Sequence, residues 1–75
     1  MNDLSKKIYG LLTREVSPML AKAAMETRVK RVGTTLDELG LAHLEPLAKE
    51  LQKGLSGYVG EAKASALATQ VRNLD

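Results

Sequence analysis

The sequence predicts an all-α domain, a small bundle of four or five short helices. Three observations predict it. Apolar residues recur at helical spacing over most of the 75 residues, where strands would show alternation. Period-2 patterns never persist, and the β-branched residues are scattered. Ser17-Pro18 interrupts what would otherwise read as one long helix. Proline removes a donor and crowds the preceding turn, so the chain must break there. Ser at the N-cap followed by Pro at the first helical position is a strong start signal.

The first helix is expected from about Asp3 to Val16, capped by Asn2 or Asp3. Leu4, Ile8, Leu11, Leu12 and Val16 form its stripe, and Gly10 marks either a close helix approach or a tolerated surface glycine. The second is expected from Pro18 to Val32. Gly33 is placed as its left-handed closing residue, and Lys30 and Arg31 complement the negative end of its dipole. Thr35 followed by Glu38 fits a capping box, with Leu36 and Leu39 in a single turn ended by Gly40. The most regular stripe is Leu44, Leu47, Ala48, Leu51, Leu55, Tyr58 and Val59. Pro46 is tolerated only in the first turn, so that helix starts near His43 to Glu45. Ser56, Gly57 and Gly60 predict a turn or kink between 56 and 60. A last helix follows from about Glu61 to Asn73, with Ala64, Leu67, Ala68, Val71 and Leu74 inward.

The expected core is Ile8, Leu11, Leu12, Val16, Leu20, Ala24, Met25, Leu36, Leu39, Leu44, Leu47, Leu51, Leu55, Val59, Leu67 and Val71. The Leu44–Val59 helix is expected at the centre, with the first, second and last helices packed around it. Residues 1–75 read as one domain, whether whole or excised from a longer chain. A chain this short buries about 60% of its unfolded surface, a thin margin. Phe and Trp are absent, and Tyr9 and Tyr58 are the only aromatics. Small domains are commonly stapled by disulfides, metal or oligomerisation. With no Cys and a single His, association is the remaining staple, and a homodimer or a helical protein partner is expected. The candidate interface is Leu4, Ile8, Leu11, Met19 and Met25, because adaptable Met suits contact surfaces.

Eleven basic and nine acidic residues give a formal charge of +2, largely interspersed as on a solvated surface. No apolar run approaches the roughly 18 residues of a membrane span. The first residues lack the apolar stretch and cleavage site of a signal peptide, so the cytoplasm is expected. Enzyme chemistry finds no foothold. There is no Cys nucleophile, no second His and no glycine-rich phosphate loop. Glu45 and Glu50 lie on different sides of one helix. His43 reads as a surface or capping residue, and neither a metal nor a cofactor is expected.

The one local charge excess is Lys22, Arg28, Lys30 and Arg31, a candidate anion or nucleic-acid contact that also suits a solvated helix end. Thr34 to Leu55 resembles a helix-turn-helix in its opening TLDELG, its turn-ending GL and the amphipathic helix that follows. It departs from that pattern in its short first helix and in the apolar Leu44 and Leu47 at base-reading positions. A small DNA-binding regulator is therefore the alternative function.

Ile8, Leu11, Leu12, Val16, Pro18, Met19, Ala21, Ala24 and Arg28 carry a second resemblance, over the first third of the chain. There an amphipathic helix meets a Pro step and an Ala- and Arg-rich helix. This resembles short helical segments appended to bacterial signalling proteins such as serine/threonine kinases and nucleotide cyclases. Val16-Ser17 stands where a glycine often precedes the Pro. The resemblance implies helix packing and association without catalytic residues. The leading expectation is a regulatory, non-catalytic interaction or self-association module.

Overall fold

In the computed structural model, which describes residues 1–74, four α-helices follow in order: α1 (Asp3–Leu12), α2 (Pro18–Val32), α3 (Leu44–Val59) and α4 (Glu61–Arg72). A 3-10 turn at Leu41–His43 leads into α3. The fold is a small all-α bundle, and no strand occurs among the described residues. Local chemistry accounts for most boundaries. The Asn2 side chain accepts the Ser5 N–H at the start of α1. Ser17 Oγ accepts the Leu20 N–H at 3.2 Å ahead of Pro18. Gly33 closes α2 in the left-handed region at φ 93°, where a Cβ would be strained.

The expected central position of α3 is realised only in part. Helix α3 packs most extensively on α4 and next on α2, but α1 lies against α2 and α4 instead of α3, so the four helices close a ring around the shared core. Ile8, Leu12, Met25, Leu47, Leu51, Leu55 and Val71 are the largest fully buried side chains of the shared core. Ala21, Ala48, Ala64 and Ala68 are buried with them, so small residues let the helix axes approach closely. The buried line on α2 is Ala21, Met25 and Val29, rotated from the expected Leu20, Ala24 and Met25. Leu20, Ala24, Leu11, Val16, Leu36 and Val59 are half-buried, at the edge of the core instead of inside it.

Three segments depart from the expected secondary structure. The first helix stops at Leu12, four residues short of Val16. Arg14 and Glu15 N–H groups bond Leu11 and Leu12 carbonyls three residues back, a tightening of the last turn. Ser17 is extended at ψ 154°, as a residue before proline prefers. Residues 34–40 contain a turn at 36–38 and no helix. The Glu38 N–H bonds the Thr35 carbonyl at 3.2 Å. The Thr35 hydroxyl instead donates to Glu38 Oε1, so the capping box does not form. Finally, α3 runs through Ser56 and Gly57 without a kink and breaks only at Gly60. Leu55 and Val59 still have core to pack against, and that burial outweighs about 1 kcal/mol of helix cost for Gly57.

Gly60 alone joins α3 to α4, at φ 89° and ψ 158°. Non-glycine residues essentially never occupy that region. Gly60→Ala is expected to destabilise the domain by about 1–3 kcal/mol. Gly57→Ala, whose Cβ would meet open space on an exposed helical face, is expected to stabilise it by about 0.5–1 kcal/mol. Urea melts of both variants check the pair. Equal effects would show that backbone conformation does not separate these glycines.

Candidate binding groove

Helix α2 lays Lys22, Glu26 and Lys30 along one line at i, i+4 and i+8, with Val29 beside them toward the core. On the other side α1 contributes Lys6 and Tyr9. The chain leaving α2 closes the end with Thr34 through Asp37. Together they line an open groove of about 700 Å³. Its floor is Val29, with half-buried Tyr9 and Leu36. Its rim carries Lys6, Lys22 and Lys30, all exposed. The Met1 amino group, also in the lining, sits 3.0 Å from an Asp37 carboxylate oxygen. A second groove between α3 and α4 has a polar lining that includes Lys49, Gln52, Lys53 and Glu61, without a large apolar side chain.

The wall at 34–37 exists because α1 reaches across to it. Asn2 N–H donates to the Leu36 carbonyl at 3.1 Å. Asn2 Nδ2 donates to the carbonyls of Leu39 at 2.8 Å and Asp37 at 3.2 Å. Ser5, a fully buried polar residue, donates its hydroxyl to the Leu36 carbonyl at 2.6 Å. These bonds take the carbonyls that a helix at 36–39 would have used.

Of the expected basic contacts, the structure brings Lys22 and Lys30 together and leaves Arg28 and Arg31 outside the groove. Arg28 points to α3, where Nη1 meets Glu50 Oε1 at 3.1 Å. Its guanidinium lies over Gly54, where a Cβ would come within 2.8 Å of it. Lys6, Tyr9 and Leu36 carried no sequence signal for a site. They converge only because a distant turn folds onto α1.

The expected interface needs a correction. Ile8 and Met25 are 0% exposed within the single chain and are unavailable to a second copy. Leu4 and Leu11 are partly buried against the same core. Met19, 84% exposed, is the interface candidate left in the open. The helix-turn-helix expectation loses its first helix, since 34–40 is not helical. Leu44 and Leu47 face the core, and Glu45 Oε2 lies 3.0 Å from Arg72 Nε.

His43 has a local task. Its Nδ1 accepts the Gly40 N–H at 3.0 Å, which occupies that nitrogen's lone pair and steadies the entry to α3. Among the described residues, no three His, Cys, Asp or Glu side chains gather as a metal site. No described helix is long and apolar enough to cross a membrane. No protein-family model matches the chain, and neither a curated protein nor a solved structure matches it, so what the groove can bind is read from its own residues.

Proposed function

We propose that this chain is a non-catalytic interaction module that docks a segment of a partner protein in the groove between α1, α2 and the 34–37 turn. The observation that carries this reading is the groove's make-up: partly exposed Tyr9 and Leu36 beside three exposed lysines that form no ion pair among the described residues. Covering Tyr9 and Leu36 removes apolar surface from water at about 25 cal/mol per Å². The lysine rim adds orientation and a faster encounter. The likeness of the first third to helical segments of bacterial signalling proteins points the same way, toward association without catalysis.

Of the two expected partners, a second copy or another helical protein, burial favours the other protein. The stripes that would have paired two copies close the core of one.

The two tyrosines make the test conservative, since Tyr9 lines the groove and Tyr58 is exposed on α3 away from it. A photoreactive phenylalanine analogue is placed at one position or the other in cells that make the protein. Mass spectrometry then identifies what is crosslinked. The expected result is one dominant heterologous adduct from position 9 and none from position 58. Adducts only to a second copy of the chain would replace docking with self-association. Equal adducts from both positions, or none, would remove the groove as the docking face.

A further inference from the structure

Resting on that docking reading, we infer that the segment the groove takes is an acidic amphipathic helix. Its apolar face would lie on Tyr9 and Leu36, with carboxylates reaching the lysine rim. The cations of the bundle divide into those held by a carboxylate and those that are not. Arg28 and Lys53 share Glu50, Lys63 meets Glu15 at 3.2 Å, and Arg72 meets Glu45. Among the described residues Lys6, Lys22 and Lys30 form no ion pair; Arg14, Arg31 and Lys49 form none either, but only the three lysines converge on one groove. Of the two acids there, Asp37 is held by the Met1 amino group. Among the described residues of the groove, that leaves the Glu26 carboxylate against three ammonium groups without an ion pair.

The spacing narrows the partner further. Lys22 and Lys30 are eight residues apart on one helix, about 12 Å at 1.5 Å per residue. Two acidic side chains two turns apart on a partner helix match that separation. Apolar residues between them would then face Tyr9 and Leu36. Glu26, midway between the two lysines, disfavours a continuous phosphate track, and phosphates would leave the apolar floor uncovered. These two features argue for a protein carboxylate ligand over a nucleic acid.

The test uses the whole chain and a labelled helical peptide of Leu, Ala and Glu with its Glu residues two turns apart. A second peptide replaces every Glu by Gln. Fluorescence polarisation measures affinity, and amide shifts of the isotope-labelled chain locate the site. The Glu peptide is expected to bind with shifts at Tyr9, Val29 and Leu36, and about tenfold more tightly than the Gln peptide. The Lys22→Glu/Lys30→Glu variant should lose about tenfold in affinity for the Glu peptide. Arg14→Glu/Lys49→Glu, the same change in net charge at exposed positions outside the groove, should lose little. Circular dichroism confirms that both variants remain helical. Equal affinity for the two peptides, with shifts at the groove, would overturn the acidic assignment while docking there stands. Absence of groove shifts with either peptide would overturn both readings. Displacement of the Glu peptide by duplex DNA at a lower concentration would assign the lysines to phosphate and overturn the inference.

Discussion

Leu51→Ala is expected to cost about 2–5 kcal/mol and to leave little of the folded state at physiological temperature. Leu51 is 2% exposed in the middle of α3, the helix against which α2 and α4 both pack. Truncation removes the transfer free energy of the side chain and leaves a cavity that Ala48, Leu47 and Leu55, already packed, cannot fill. Stability of roughly 0.05–0.15 kcal/mol per residue makes this loss a large part of the total. Few large side chains share the load, since the core has no Phe or Trp. Each kcal/mol lowers the melting temperature by about 4–8 °C in a domain of this size. Leu41→Ala, at a position 61% exposed, should stay within about 0.5 kcal/mol. Thermal melts of the two variants decide the matter, and comparable losses would place the core elsewhere.

Asn2→Ala is expected to cost about 2–3 kcal/mol, more than an ordinary cap. Removing the amide unties the Ser5 N–H at the start of α1 and the carbonyls of Asp37 and Leu39. Leu39 is itself buried, so its carbonyl would lose a partner where water has little access. Asn2→Asp separates the two tasks. A carboxylate keeps the cap and suits the helix dipole, but it cannot donate to the two carbonyls. The Asp variant should therefore keep α1 intact while amide exchange speeds up at residues 36–39. Protection of that turn unchanged in both variants would show that its conformation is local and independent of Asn2. Because this turn forms one wall of the groove, both variants should also weaken whatever docks there.

The sequence by itself determined the helices that carry their own start and stop chemistry. Ser17-Pro18 and Gly33 bound α2 to the residue, and the cap of α1 was narrowed to Asn2 or Asp3, of which the structure uses Asn2. The stripe from Leu44 to Val59 was legible as a helix with one buried face, because 3.6-residue periodicity encodes such a face without reference to neighbours. The tertiary structure decided what depends on residues far apart in the chain. Residues 36–39 are a turn because Asn2 and Ser5, more than thirty positions earlier, take their carbonyls. Gly57 stays helical because packing of Leu55 and Val59 outweighs its propensity. Ile8 and Met25 close the chain's own core because α1 and α2 find each other within one molecule. The groove was hidden for the same reason. Lys22 and Lys30 could be seen as neighbours on a helix, whereas Lys6, Tyr9 and Leu36 join them only when three segments meet. Local hydrogen bonds and periodicity are written into consecutive residues, but a concave surface is a property of the gaps between elements, and only packing sets those gaps.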